Sequence, residues 1–262
     1  MLSRSTIDPA LSEVAAWDVF DANASMGRSG TRGELALDAP ELIAEMDRFA
    51  IRRALVGHLA VEEYDVRAGN ALLIEQSQSY LDRLEPVVGA LPEPDFIQQL
   101  SGNPPSVVRL FPTKHNFSCE AWCAGELEEC LQAHGILTLI AREELGWDAL
   151  VSLLRNFPRL PILLLETGYR ADRWLYPLMR QHPNLYIDTA TYVAHRQLEN
   201  FVDRLGADRL MFGSRLPFYT PGAALAVLAT ARIPDEARLL IAGKNLRRLF
   251  GARANRQETR NK

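Results

Sequence analysis

Several side chains of this 262-residue sequence could together hold an anion and move a proton. Arg109 in "VVRLFPTKH", Arg170 in "ETGYRADR" and Arg215 in "GSRLPF" each carry a planar fork of N–H donors that matches a carboxylate or phosphate two bonds at a time. Glu166, His115 and His58 are groups able to give or take a proton. Asn23 in "FDANASMG" and Tyr169 add an amide and a phenol. The set predicts a small anionic substrate bound by Arg109, Arg170 and Arg215 with Asn23, His58 and Tyr169 beside them. Glu166 or His115 is then expected to handle the proton. A surface ion pair would explain any one arginine equally well, and a structural role either histidine. Their convergence is what favours a site.

Convergence needs a scaffold, and the spacing supplies one. Short apolar runs alternate with amphipathic stretches: "WDVFDAN", "RRALVGH", "LEPVVGAL", "SVVRLFP", "ILTLIA", "LPILLLE", "NLYIDTA" and "RLMFGS" read as eight strands. Helical sequence follows each of them. In "APELIAEMDRFAI", Leu42, Ile43, Met46 and Phe49 fall on one stripe behind Pro40, and "YRADRWLYPLMRQHP" is a helical return broken at Pro177 or Pro183. Runs such as "PILLLE" are apolar on both faces, as strands covered by helices must be. Strand–helix alternation eight times over predicts an α/β fold, a (β/α)8 TIM barrel in one domain over 17–251. Residues 1–16 read as an N-terminal extension and 252–262 as a polar tail. An open doubly wound sheet is disfavoured, because no glycine-rich phosphate loop follows the first strand. In such barrels chemistry gathers where strands end, and the polar residues above fall at those ends, with Asp21, Ser25, Lys114, Arg142, Asp188 and Ser214.

Composition narrows the classes. A formal net charge of -4 gives no basic field to recruit nucleic acid. No apolar run approaches the roughly 20 residues of a membrane span, and no secretory leader is expected at the N-terminus. Cys119, Cys123 and Cys130 lie close together, an odd number without a disulfide framework, so free buried thiols and a cytoplasmic setting are expected. Trp17, Trp122, Trp147 and Trp174 are expected to seal helices against the barrel, and a homo-oligomer is compatible with all of this.

Four stretches resemble the amidohydrolase-related proteins of the metal-dependent hydrolase superfamily. "FDANASMG" is similar to that family's first-strand motif, Asp followed by His-x-His. "RLPILLLETG" is similar to its sixth-strand segment, "GADRLMFGSRLPF" to its eighth-strand Gly-Ser-Asp motif, and "IAGKNLRRLFG" to its closing helix. The likeness runs over 17–251 and implies the same barrel. The ligand positions do not carry over: Asn23 and Ser25 stand where the two histidines would be, Ala141 and Glu166 at the fifth- and sixth-strand histidines, and Arg215 at the metal-binding aspartate. Amides and alcohols are poor ligands for a zinc-type ion, alanine offers none, and a guanidinium sets a fixed positive charge where the cation would sit. No metal or other cofactor is therefore expected.

Arg215 is instead expected to pair with Glu166 and to stand in part for the missing ion. The resemblance then implies a metal-independent hydrolase, lactonase-like, or a lyase acting on a small anionic substrate. The rival is a catalytically silent barrel that binds a small anion or a protein partner.

Overall fold

A computed structural model describes residues 13–33 and 35–251; most of the expected N-terminal extension and the whole 252–262 tail lie outside the described residues. The described residues open with a short 3-10 turn, Val14–Trp17, whose last residue is where the first strand was expected to begin. Strand β1 (Val19–Arg28) follows, with β2 (Ala36–Leu37) folded back antiparallel on its end. Then come α1 (Ala39–Arg48), β3 (Ile51–His58), α2 (Leu59–Glu63) and α3 (Val66–Ser77). The expected third strand is two pieces, β4 (Leu84–Pro86) and β5 (Val88–Gly89), leading to α4 (Pro94–Gly102). The order continues β6 (Val107–Leu110), α5 (Ala121–His134), β7 (Leu137–Ala141), α6 (Trp147–Asn156), β8 (Ile162–Leu165) and α7 (Asp172–Gln181). It ends β9 (Leu185–Asp188), α8 (Gln197–Leu205), β10 (Leu210–Met211), α9 (Pro221–Thr230) and α10 (Asp235–Leu239).

Local chemistry explains the helices. Asp38 and Glu41 close a reciprocal capping box at the start of α1, with Pro40 in the first turn. Gly135, left-handed at φ 61°, ends α5. Of the two expected stops, Pro177 lies inside α7 without breaking it, because buried Leu175, Leu178 and Met179 hold both sides of the proline against the core, and the helix ends at Gln181, just before Pro183. Helix α4 falls where helical sequence was expected after the third strand, although no stretch was named for it; Pro94 in its first turn and the i, i+4 pair Phe96/Leu100 were its signal.

The strands form two sheets, ordered β2-β1-β3-β4 and β10-β9-β8-β7-β6-β5, parallel throughout except for β2. Short strands leave the ring in two hydrogen-bonded pieces where one continuous barrel was expected. Backbone bonds nonetheless cross one seam, from Ala22 N to Phe212 O, Arg215 N to Asn23 O and Ser25 N to Leu216 O, each at 2.8 Å. At the other, β4 and β5 are consecutive along the chain, separated by Val87, whose N–H donates to Val56.

Period-two alternation sorts the strand residues. Phe20, Leu55, Val107, Leu139, Leu163 and Met211 make one cluster, which Leu246 joins from the helical closing segment. Val56, Val108, Ile140, Leu164 and Ile187 belong to a larger one with helix residues Leu42, Leu127, Leu153 and Leu175. Each fully buried leucine is worth about 2–3 kcal/mol over exposure. Arg109 and Asp188 continue the first alternation, two residues beyond Val107 and Tyr186, so polar groups follow the apolar plug toward the strands' C-terminal ends.

Candidate active site

Glu166 follows the last residue of β8 and sits at the centre of the polar groups. Its backbone is left-handed, φ 57°, a region costly for a residue with a Cβ. The N–H of Glu166 donates to Asp188 Oδ1 at 2.8 Å, which helps to hold the strained turn. Arg215 is also left-handed, φ 58°, with its N–H on the Asn23 carbonyl. These two strained residues meet: Arg215 Nε lies 2.5 Å from Glu166 Oε2, with the carboxylate 7% exposed. The expected ion pair is formed.

Two more residues bind the same carboxylate. Asn23 Nδ2 reaches Glu166 Oε1 at 3.2 Å and Asp188 Oδ2 at 3.0 Å, bridging the two acids. The register shift in β1 between Asp21 and Ala24 falls at this asparagine. Arg109, from β6, approaches Glu166 Oε1 at 3.6 Å and Asn23 Oδ1 at 3.5 Å. Its guanidinium is buried over the Phe111 ring, and its Nε has no hydrogen-bond partner among the described residues. A buried cation with such loose contacts is under-satisfied, since guanidinium carries five N–H donors.

Asp188 is fully buried, and burial pushes its carboxyl up to about 7, helped by the charge of Glu166 and opposed by the Glu166 N–H and the Asn23 amide. Asp21 is raised by burial too, against three hydrogen bonds that favour its charged form. It braces the fold: Oδ1 accepts from the N–H groups of Asn23 and Ser214, both at 2.9 Å, and Oδ2 from the Ser214 hydroxyl.

The charge network extends past what sequence reasoning found. Arg215 Nη2 reaches Glu143 at 3.6 Å, Lys114 lies 3.5 Å from Glu144 and 3.8 Å from Glu143, and it also pairs with Glu62 of α2. Burial, the largest single influence on Glu62, would raise its pKa, but Arg109, Lys114 and Arg215 together outweigh it and hold the carboxyl below its usual range. Glu62, Glu143 and Glu144 had gone unnoticed because acids in a short helix and a turn look like a solvated face. The one usable signal was "REE" immediately after a strand.

Other expected site residues lie apart from this cluster. His58 caps α2, its Nδ1 accepting from Ala60 N at 3.1 Å, and burial lowers its pKa. Its position in β3, one residue out of phase with Leu55 and Gly57, turns the ring toward the helix layer. His115 places Nε2 2.9 Å from the Val61 carbonyl and packs on Phe111. Tyr169 and Arg170 are exposed on the loop after β8, with no ion pair or hydrogen bond between their side chains and the cluster among the described residues. Cys119 and Cys130 are buried free thiols, as expected. Trp122 seals nothing: it is 82% exposed.

A family model described as amidohydrolase matches residues 126–252. Over that stretch, just under half of its length, the chain resembles the amidohydrolases. No curated protein matches. Among solved structures it is similar to an uncharacterized TIM-barrel protein from Bordetella bronchiseptica, at TM-score 0.74 and 16% identity, covering 90% of this chain and 99% of that one. It is also similar to 5-carboxyvanillate decarboxylase from Sphingomonas paucimobilis, at 0.72 and 16%, covering 89% and 99%. A third is a dihydroxybenzoic acid decarboxylase from Polaromonas with bound manganese and 2-nitroresorcinol, at 0.67 and 16%, covering 89% and 96%. These likenesses establish an α/β fold of the TIM-barrel kind.

A metal of the kind that last structure holds does not fit the residues present here. Among the described residues no group of three or more His, Cys, Asp or Glu side chains is arranged to take one. Glu166, the one strong ligand type at the expected positions, is already shared by Arg215, Arg109 and Asn23.

Proposed function

We propose that the two sheets work as one barrel whose mouth is a metal-independent catalytic site for a small carboxylate, with fixed guanidinium charge in the cation's place. The observation that carries this reading is Arg109: buried, its nearest polar contacts at 3.5 and 3.6 Å and its Nε without a partner among the described residues. Together with Arg215 it makes a two-guanidinium fork for an anion.

Of hydrolysis and a lyase step, the second suits these residues better. Hydrolysis needs a base free to activate water, and both Glu166 oxygens already accept bonds. Loss of a carboxyl group needs no activated water. The carbon–carbon bond to the carboxyl breaks, its electron pair stays on the substrate carbon, and a proton replaces the departing carbon dioxide. A substrate anion that draws both Arg215 and Arg109 from Glu166 leaves that carboxylate beside Asp188 without its counterions; the acid pair then takes up a proton and Glu166 delivers it. The solved structures with a related fold include decarboxylases named for 5-carboxyvanillate and dihydroxybenzoate, and small aromatic hydroxycarboxylates are the first substrates to try. His115, tied to the Val61 carbonyl, shapes its loop in this scheme and stays out of the proton transfer.

The test uses chelator-treated protein and 2,6-dihydroxybenzoate as probe. Calorimetric titration in buffers of different ionisation heat is expected to show binding with net proton uptake near neutral pH. Arg109→Gln should weaken binding by about tenfold or more, and Glu166→Gln should retain binding but lose release of carbon dioxide. Absence of binding by this and related carboxylates would sink the site.

A second reading is favoured by one observation. Glu62, Glu143, Glu144 and Glu166 outnumber Arg109, Lys114 and Arg215 by one, so the network leaves no surplus positive charge for an anion. A silent barrel stabilised by this network would bind without turnover, or not bind, in the same titration.

A further inference from the structure

Tyr169 and Arg170, expected at the mouth, instead line a cavity of about 600 Å³ with Asp172, Arg173 and Trp174, on the loop after β8 and the first turn of α7. The volume is within the range of small-molecule sites. Its aromatic wall is already assembled. The Trp174 ring stacks on Trp147 at 5.5 Å between centroids and 5° between planes. The Arg142 guanidinium sits 4.4 Å from the Trp147 ring centroid. Trp174 is thus the end of an oriented column, yet it stays 49% exposed and lines the cavity. Tyr169, 58% exposed, stands on the same cavity with the Arg170 guanidinium 5.3 Å from its ring centroid.

Charge in the cavity is unbalanced. Arg170 and Arg173 have no carboxylate partner among the described residues, whereas the acid between them in sequence is spent elsewhere. Asp172 Oδ1 accepts from the Tyr192 hydroxyl at 2.6 Å and from Gln197 Nε2 at 3.0 Å. Two partly exposed rings, beside two guanidinium groups that outnumber the one carboxylate of the lining, select one kind of ligand: a flat ring carrying negative charge. A guanidinium gives the charge-assisted bonds and the indole gives the stacking surface.

We propose that this lip cavity is a second binding site, separate from the Glu166 cluster, for a planar aromatic anion of the size of a naphthalenecarboxylate. The site does not depend on the mouth being catalytic.

The experiment is calorimetric titration of the Arg109→Gln protein with 2-naphthoate, so that the mouth fork is disabled. Cyclohexanecarboxylate supplies the charge without the flat ring, and 2-naphthol the ring without the carboxylate. Saturable binding of 2-naphthoate is expected, at least about tenfold tighter than either control. Trp174→Ala, Arg170→Gln and Arg173→Gln, each introduced into the same background, should weaken it by a similar factor. The two arginine changes lie at exposed positions, so they report even if Trp174→Ala unsettles α7. No binding, binding indifferent to all three changes, or binding found in the parent and lost with Arg109→Gln alone would overturn the proposal. So would a concentration-dependent dimer dispersed by Trp174→Ala, which would assign the patch to a second copy of the chain.

Discussion

Glu166 and Arg215 form the pair on which the mouth depends, and both are buried enough for breaking it to be costly. Removing one partner strands the other charge, which typically costs about 3–5 kcal/mol, while replacing both by apolar groups costs far less. Arg109 still faces Glu166, so Arg215→Met is expected near the lower end, about 3 kcal/mol by urea unfolding. The double variant Arg215→Met/Glu166→Met should recover most of that; a double loss equal to the sum of the single losses would deny that the two act as a pair. Asp188 gives a pH signature. Its carboxyl is raised from 3.8 to about 7, so its protonated form is favoured by folding. This contribution is fully present below the unfolded value near 3.8 and is lost as pH rises through about 7. Asp188→Asn is expected to flatten stability against pH across that window, read from denaturation midpoints. An unchanged profile would mean that Asp188 stays charged in the fold.

At the scale of elements, α5 carries an unusual burden. Glu128 is fully buried on it, both carboxyl oxygens lack a partner among the described residues, and burial together with Glu120 pushes its pKa up to about 8. The sign is the same as for Asp188: stability is greatest below 4.5 and falls as pH rises through about 8. Glu128→Gln is therefore expected to gain about 4 kcal/mol on the parent between pH 5 and pH 9, measured as the change in their stability difference. Helix elements also show what a sequence can and cannot say. The α1 stripe and its caps were legible because period and capping are local. The α4 helix was expected after the third strand but had no bounds, because two prolines obscure its start, although Pro94 suits a first turn. Glu62 was invisible for a different reason: nothing local tells an acid on a short helix that it will face Lys114, fifty-two residues away in sequence.

Across the whole molecule, the seam between β1 and the segment after β10 joins the chain's first strand to its last. Asp21 fastens it, taking three hydrogen bonds from Asn23 and Ser214. Loss of a buried acceptor leaves its donors unsatisfied at about 1–3 kcal/mol. Asp21→Ala is expected to cost that much, and to raise hydrogen exchange at the Ala22, Ser25 and Arg215 amides before those of β7 and β8. Exchange rising uniformly would mean that the seam has no independent weakness.

The sequence by itself determined the alternation of strands and helices, and which residue types stand where the resemblance implies metal ligands. Periodicity is a local property, and a ligand is present or absent by residue type alone. It also pointed to the pairing of Arg215 with Glu166, because two positions of one motif family, read in order, imply neighbouring strand ends. Only the tertiary structure decided that Arg109 joins them and Arg170 does not, that His58 caps a helix, and that Glu62, Glu143 and Glu144 complete the charge. Those outcomes depend on which side of a strand a residue takes after a bulge, and on which loops lean together. Neither is written in the spacing of any one segment.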